Sequence, residues 1–172
     1  MPQISSFNLL TYKPLARQDL KQLLRLYQQE AFMRSYGKLE TKQQTLKQLE
    51  FWYDEYEQKR VEFYYSIFFN ETWVGFMTLG DFNKSRTEAW LSIGICPEFW
   101  GNGIGSHILK RFINDCFTKG IVKMIRLSVF ASNERALRLY VKMGFKIEKI
   151  YFNEQHANQF ESDIYQLYLI HK

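Results

Sequence analysis

The sequence predicts an α/β protein with a mixed sheet that is covered by helices on both faces. Apolar residues recur at helical spacing in some segments and at every second position in others, so the chain holds both helices and strands. In the second half, strands and helices alternate, and this alternation favours a sheet that contains parallel neighbours. The predicted order is strand, two helices, three strands, helix, strand, helix and two strands.

The first three elements are a strand and two helices. Residues 7–15 form the strand, which ends near Pro14. The helix after it and a second helix, beginning near Thr41, each carry apolar residues on one face, and the remaining faces of the second helix are acidic. The apolar stripes are Leu20, Leu23, Leu24, Tyr27 and Ala31 in the first helix and Leu46, Leu49, Tyr53 and Tyr56 in the second.

A change to a period of two marks three strands in the middle of the chain. Residues 61–69 alternate along a strand, and residues 73–79 return as the second arm of a hairpin after a turn at Asn70-Glu71. Residues 81–86 are a polar loop, and residues 88–95 are the third strand.

Two helices and three strands complete the chain. The first helix follows a glycine-rich loop and ends at Lys119-Gly120, and the second is capped by Ser132 or Asn133 and ends at Gly144. The strands are predicted at residues 122–130, 145–152 and 164–170. The buried stripe of the first helix is Ile108, Leu109, Phe112, Ile113 and Cys116.

Composition excludes several classes of protein. With 46% hydrophobic residues in 172, the chain can bury a substantial core. The first ten residues lack a basic segment followed by an apolar one, and no apolar run approaches the ~18 residues of a membrane helix, so we expect neither a signal peptide nor a membrane partner. Cys96 and Cys116 make neither a disulfide framework nor a metal site, which favours a reducing cytoplasm.

The positive charge of the chain is concentrated in one region. Residues 107–149 hold ten Lys and Arg against three Asp and Glu, a net charge of +7, whereas the whole chain carries +5. This asymmetry suits an anionic cofactor on one side and a cationic substrate on the other. A solvated basic face explains it equally well. A nucleic-acid partner is disfavoured, because no recognition motif accompanies the charge.

Three glycines, Gly101, Gly103 and Gly105, lie between a predicted strand and a predicted helix. Glycine lets backbone N–H groups approach a ligand closely, and the first N–H groups of a helix have no partner within the helix. Such a loop can hold phosphate, although it can also be a tight strand-to-helix turn. The spacing fits neither a P-loop nor a dinucleotide-binding loop.

Two segments resemble motifs of the GNAT N-acetyltransferase superfamily. Residues 97–106 resemble its motif A, Q/R-x-x-G-x-G/A, with Gly103 and Gly105 at the small positions. Residues 133–145 resemble a second landmark, N-x-x-A-x-x-x-Y-x-x-x-G-F. Residues 9–20 also resemble the branch of ribosomal-protein and polyamine acetyltransferases. Trp100 departs from the pattern, because it stands where the family usually has Gln or Arg.

The resemblance implies the GNAT fold: a central, mostly antiparallel sheet of about six to seven strands with a splayed parallel pair and helices on both faces. It implies that residues 1–172 form a single N-acetyltransferase domain that uses acetyl-CoA and no metal. Backbone groups of Ile93 and Ile95 would bind the pantetheine arm, with a bulge at Gly94, and Asn133 and Ala136 would contact the same arm. The pyrophosphate would be held by Trp100, Gly101, Asn102, Gly103, Ile104, Gly105 and Ser106.

The implied chemistry is direct attack of a neutral amine on the thioester in a ternary complex. Tyr140 is the family's usual proton donor to the leaving thiolate, although a tyrosine on a helix is often only part of the core. Related enzymes often carry a Glu base where Trp90 stands, and Glu88 faces the same side two residues earlier. His156 is a second candidate base. An acetylated Cys96 is disfavoured, since a lone cysteine near a strand end is usually inert.

The acceptor is expected to be cationic. Carboxylates and aromatic rings gather in the second helix and in residues 152–163, which together suit a polyamine, an aminoglycoside-like amine or a protein N-terminus. A solvated acidic helix face would look the same. A non-catalytic acyl-CoA-binding module and a basic nucleic-acid-binding domain are the competing functions, and a homodimer through the last two strands is expected by analogy. The carboxylates expected at the acceptor site are Glu50, Asp54, Glu55, Glu57, Glu154, Glu161 and Asp163, and the aromatic residues are Trp52, Tyr53, Tyr56, Tyr151 and Phe152.

Overall fold

The structure of the chain is a computed structural model, and it describes residues 9–36, 44–153 and 162–171. Within these ranges seven strands and five α-helices alternate in the predicted order, except that the first predicted helix is two. The elements are β1 Leu10–Pro14, α1 Leu20–Tyr27, α2 Glu30–Tyr36, α3 Leu46–Lys59, β2 Phe63–Phe69, β3 Thr72–Gly80, β4 Glu88–Ile95, α4 Ile104–Thr118, β5 Met124–Phe130, α5 Glu134–Lys142, β6 Lys146–Tyr151 and β7 Ile164–Ile170.

The strands form one sheet in the order β1-β2-β3-β4-β5-β7-β6. All neighbouring strands are antiparallel except β4 and β5, which are parallel. Only three register pairs join β4 to β5, from Glu88↔Met124 to Trp90↔Arg126, although both strands continue beyond them. The predicted mixed sheet with a splayed parallel pair is therefore confirmed.

Helices cover both faces of the sheet. The odd-numbered residues of β4 contribute to a core that includes α4 and Tyr140 of α5. A second core lies between the opposite face and the helices α1, α2 and α3, where Phe32 and Phe76 are buried. A ligand in the gap between β4 and β5 would therefore lie between two packed layers. No helix in the described ranges is long and apolar enough to cross a membrane.

The first predicted helix, which was expected to continue through Ala31, is divided. The helix α1 ends at Tyr27 and α2 begins at Glu30. Ala31 is exposed, whereas Phe32 and Met33 are buried, so the buried apolar face shifts by one position. The helix axis must change direction to keep this face against the core. This break places α2 against the C-terminal half of β4.

The helix α3 begins at Leu46, while Thr41, where its start was predicted, lies outside the described residues. Thr45 caps the helix: its backbone N–H donates to the Gln48 side chain at 2.8 Å, and its side chain accepts from the Gln48 N–H at 3.3 Å. This reciprocal capping box fixes the first turn, because it satisfies N–H groups that have no partner within a helix.

Candidate active site

A cavity of about 500 Å³ opens where β4 separates from β5. One wall is the C-terminal half of β4 with the glycine loop and the first turn of α4. Residues of β5 and α5 form another wall, and Phe32, Ser35 and Tyr36 of α2 form a third. The cavity thus joins the splayed strands to a helix N-terminus, which is where the sequence predicted the cofactor.

The register of β3 and β4 turns Ile93 and Ile95 toward this gap. The Cys96 N–H donates to the Val74 carbonyl at 2.8 Å, and the pairing continues without a shift to Gly80↔Trp90. In an antiparallel ladder, alternate residues direct both backbone groups to the same neighbour. Even-numbered residues of β4 therefore bond to β3, and the N–H and C=O groups of Ile93 and Ile95 point to the side that β5 has left. These groups can pair with an extended ligand as a strand would.

The bulge predicted at Gly94 is wrong, because the ladder between β3 and β4 runs without a register shift. Glycine is required at this position for packing. A Cβ there would lie 2.6 Å from Cε1 of Phe76 and 2.8 Å from Cζ of Phe32, which is closer than any side chain could remain. The two rings rest directly on the backbone of β4 beside the cavity.

The glycine loop has the conformation that a phosphate cradle needs. Gly101 and Gly103 have φ values of 79° and 77°, a left-handed conformation that is costly for other residues. Gly103 caps the fifteen-residue helix α4 without any side chain, which leaves the first N–H groups directed past the loop. Asn102 is exposed and is not among the residues that line the cavity. The lining residues here are Trp100, Gly101, Gly103, Ile104, Gly105 and Ser106.

The second motif brings Asn133, Ala136 and Tyr140 to the cavity from α5. The Asn133 side chain accepts from the Ala136 N–H at 3.3 Å, which caps the helix, and donates to the Ser35 carbonyl at 3.3 Å, which ties α5 to α2. Ala136 leaves space beside the cap. The motif therefore connects α5 to α2 and also forms part of the cavity wall.

Tyr140 is almost fully buried, with 8% of its surface exposed, and it lines the cavity. Its ring lies 5.8 Å from the ring of Phe145. Burial raises the pKa of Tyr140 from 10.0 to about 12, because the ionised phenol would lose its hydration. The hydroxyl therefore keeps its proton at neutral pH, as a proton donor must.

Glu88 lies outside the cavity. Its carboxylate accepts from Nε of Arg126 at 3.2 Å, and Arg126 also pairs with Glu148. Trp90, two residues later on the same face of β4, is the residue that lines the cavity. His156, the other candidate base, lies outside the described residues.

Arg135 is a cavity residue that the sequence motifs did not single out. Its guanidinium lies over the Trp100 ring, 3.9 Å from the centroid, and the Trp100 indole donates to the Ile95 carbonyl at 2.8 Å. Burial lowers the pKa of Arg135. The signal in the sequence was its position in the first turn of α5, two residues after Asn133, together with the unusual tryptophan in the loop.

Three of the four acidic residues of α3 are held in ion pairs on the protein surface. Asp54 pairs with Arg17, Glu55 with Lys59 at 3.6 Å, and Glu57 with Arg60 at 2.6 Å. Neither these three nor Glu50 line the cavity. Glu154 and Glu161 lie outside the described residues.

Cys96 does not supply a nucleophile. It is buried, it is not among the lining residues, and burial raises the pKa of its thiol to about 12. A thiol with that pKa is almost entirely protonated at neutral pH, and the thiolate is the reactive form. No group of three or more His, Cys, Asp and Glu side chains gathers in a metal-binding arrangement within the described ranges.

Comparison with known proteins identifies a family. The family model described as "Acetyltransferase (GNAT) domain" matches residues 10–146. Spermidine N(1)-acetyltransferase of Escherichia coli K12 is 26% identical over 171 residues, covering 96% of this chain and 89% of that protein. L-amino acid N-acetyltransferase AaaT of the same organism is 34% identical over 77 residues, 44% of this chain and 48% of that protein.

Solved structures share the fold. Spermidine N-acetyltransferase from Vibrio cholerae in complex with CoA and spermine superimposes with a TM-score of 0.85 at 24% identity, over 95% of this chain and 96% of that one. A dodecameric structure of spermidine N-acetyltransferase from Vibrio cholerae gives a TM-score of 0.79 at 23% identity, over 95% and 94% of the two chains.

Proposed function

The chain belongs to the GNAT acetyltransferase family, and on that premise we propose that it transfers the acetyl group of acetyl-CoA to a cationic primary amine. Transfer is direct, within a ternary complex. The observation that carries the proposal is the gap between β4 and β5, which opens into a cavity with a helix N-terminus at one end and a buried tyrosine in its wall. The gap can hold the pantetheine arm, the helix N-terminus can hold the pyrophosphate, and the tyrosine can donate a proton.

Binding of acetyl-CoA uses backbone groups first. The N–H and C=O groups of Ile93 and Ile95 pair with the pantetheine arm, and a carbonyl can accept a second bond, so the bond from Trp100 to Ile95 does not exclude this. The N–H groups from Gly101 to Ser106 receive the pyrophosphate. Asn133 and Ala136 bound the arm on the opposite side.

Three proton and charge movements follow. An alkylamine has a pKa near ~10.4, so the acceptor must lose a proton before its nitrogen attacks the thioester carbonyl. Oxygen then carries negative charge, which a backbone N–H of β4 directed into the gap can stabilise. The C–S bond breaks, and Tyr140 gives its proton to the sulfur. The attacking nitrogen loses its second proton as the amide forms, and this proton returns the Tyr140 phenolate to its neutral form. The protonated state of Tyr140 at neutral pH supports this role.

Glu88 stays our prediction for the general base, on the same face of β4 as Trp90. Because Arg126 holds its carboxylate and Glu88 does not line the cavity, a water would have to connect Glu88 to the amine. Trp90 leaves the family's usual place for a base without an ionisable group.

A polyamine-like amine is the acceptor that the comparisons favour, and a protein N-terminus is the alternative. A relative that matches 96% of this chain acts, by its name, on spermidine. A solved neighbour with a TM-score of 0.85 contains CoA and spermine. Aromatic side chains of Trp90 and Tyr36 in the cavity wall suit an ammonium group.

The experiment is release of the free CoA thiol from acetyl-CoA with spermidine, an aminoglycoside, and peptides with free N-termini or lysines. We expect turnover with at least one class. Tyr140→Phe should lower kcat about a hundredfold or more while leaving the Kd for acetyl-CoA unchanged, since general acid catalysis contributes about 10²–10⁴-fold. Tyr27→Phe, a buried tyrosine in the other core, is the matched control. Binding of acetyl-CoA without turnover of any amine would instead identify an acyl-CoA-binding module.

We extend the proposal to assembly and location. The edge strand β6 and its neighbour β7 expose Ile147, Ile150 and Ile170, so pairing with a second copy would cover apolar surface and an open sheet edge. Light scattering of the purified chain tests for a homodimer or a larger homo-oligomer. A cytoplasmic location is supported by the free, buried thiols of Cys96 and Cys116.

A further inference from the structure

The cavity has opposite charges toward its two ends. Among the described residues that line it, Asp81 carries the negative charge and Arg135 the positive charge. Arg135 stacks on Trp100, whose indole bonds to Ile95, so the cation belongs to the C-terminal end of β4. Asp81 follows Gly80, whose register partner is Trp90 near the start of β4. The step from Trp90 to Ile95 is about 17 Å of strand.

Asp81 differs from every acid of α3 because it lines the cavity and is also unpaired among the described residues. It is exposed, and within the described part of the chain no hydrogen bond or ion pair engages its carboxylate. Glu62, a nearby acid whose side chain packs over Gly80, does not line the cavity. Asp54, Glu55 and Glu57 are paired on the surface of α3.

The backbone at Asp81 also fixes where the carboxylate lies. Its φ is 48°, in the left-handed region that few residues other than Gly, Asn and Asp adopt readily. The strand β3 therefore ends abruptly, and the residue after it turns toward the mouth of the cavity rather than continuing the ladder beside Trp90.

We propose that Asp81 anchors the acceptor by pairing with an ammonium group other than the one that reacts. The inference rests on the proposed acetyl transfer. It adds that the site selects acceptors that carry a second positive charge. Acetyl-CoA enters from the Arg135 end, and the acceptor lies at the Trp90 end with its distal ammonium on Asp81. Trp90 and Tyr36 present aromatic surface beside this path, which favours a cation further.

The test is the variant Asp81→Asn, assayed with spermidine and with 1,4-diaminobutane against n-butylamine, which lacks the second ammonium. Asparagine tolerates the left-handed backbone as aspartate does, so the fold should be kept. We expect KM for spermidine to rise about tenfold, kcat to stay within about twofold, and the Kd for acetyl-CoA to be unchanged. The preference of the wild-type chain for 1,4-diaminobutane over n-butylamine should largely disappear.

The matched control is Glu71→Gln. Glu71 is also an exposed acid at a positive φ, 63°, but it lies in the turn at the opposite end of β3 and outside the cavity. The KM of Glu71→Gln for spermidine should equal that of the wild-type chain. Thermal unfolding of both variants separates loss of binding from loss of fold.

Several results would overturn the anchor. One is a KM for spermidine that is unchanged in Asp81→Asn, and another is a loss of kcat alone in that variant. A third is a wild-type chain that uses n-butylamine as well as 1,4-diaminobutane. A shift in KM with Glu50→Gln and Asp54→Asn but not with Asp81→Asn would move the site to α3. Calorimetric binding of spermidine to the complex with CoA distinguishes the two proposals: binding that depends on Asp81 without any turnover would keep the anchor and reject the acetyl transfer.

Discussion

The guanidinium of Arg135 lies 3.9 Å from the centroid of the Trp100 ring, and the Trp100 indole is itself fixed by a 2.8 Å bond to the Ile95 carbonyl. The two residues come from different motifs and different elements. Trp100 stands where relatives usually have Gln or Arg beside the cofactor's phosphates. We therefore expect Arg135, held by the ring, to restore from α5 the positive charge that the loop lacks.

The first prediction is that Arg135→Ala weakens binding of acetyl-CoA about tenfold, because a charge-assisted hydrogen bond contributes roughly 1.5–3 kcal/mol and Arg135 remains partly solvated. Calorimetry gives the Kd. Arg138→Ala is the control, since Arg138 lies one turn later on the same helix and is exposed in an ion pair with Glu134.

S-acetylpantetheine, which has no pyrophosphate, separates a phosphate contact from a general disturbance of the site. We expect the wild-type chain and Arg135→Ala to bind it equally. Should Arg135→Ala lose affinity for S-acetylpantetheine as well, the arginine would act on the shape of the cavity and not on the phosphates.

The second prediction contrasts two glycines of the same loop. Gly103 has a left-handed backbone, so Gly103→Ala should lower the free energy of unfolding by about 1 kcal/mol and weaken acetyl-CoA binding, because the N–H groups turn away. Gly105 lies inside the first turn of α4, and a Cβ there would meet only Ile95 Cγ1, at 3.8 Å. Gly105→Ala should therefore stabilise the protein by about 0.5–1 kcal/mol and leave affinity nearly unchanged.

Thermal unfolding with and without acetyl-CoA measures both effects for each variant. The two substitutions add the same methyl group, so opposite signs in stability isolate backbone conformation from volume. Equal losses of affinity would contradict the idea that the loop binds through the direction of its N–H groups.

Most of the fold could be predicted, because apolar periodicity is a local signal. The strand β4 was predicted at its observed bounds, and the turn at Asn70-Glu71 has the two positive φ values, 48° and 63°, of a tight hairpin. The division between α1 and α2 was not predicted, since Ala31 continues the helical spacing from Tyr27. Only the packing of Phe32 on β4 shows that the burial shifts by one position.

The site was predictable where it depends on motifs and not where it depends on tertiary placement. Gly103, Asn133 and Tyr140 were predicted from the resemblance to two family motifs, and all three line the cavity. The pairing of Arg135 with Trp100 joins residues that are 35 positions apart in sequence, and Asp81 appeared only as part of a polar loop. Charge counts favoured the acids of α3, but ion pairs such as that of Asp54 with Arg17 are invisible in a sequence.

The last prediction concerns pH. Because burial raises the pKa of Tyr140 to about 12, the phenol stays protonated as pH rises through 10, where a solvated tyrosine would be half ionised. The fraction of neutral amine grows over the same range. We therefore expect kcat for a primary amine to increase or level off between pH 7 and about 10.5, with no fall near pH 10. A fall centred on pH 10 would mean that the proton donor is a solvated phenol.

The free energy of unfolding should change with pH in the opposite direction to kcat. Burial of the neutral Tyr140 phenol stabilises the fold below pH 10, and this contribution is lost as pH rises toward 12. Circular dichroism at each pH, together with the tyrosinate difference spectrum of wild type against Tyr140→Phe, separates ionisation of Tyr140 from unfolding.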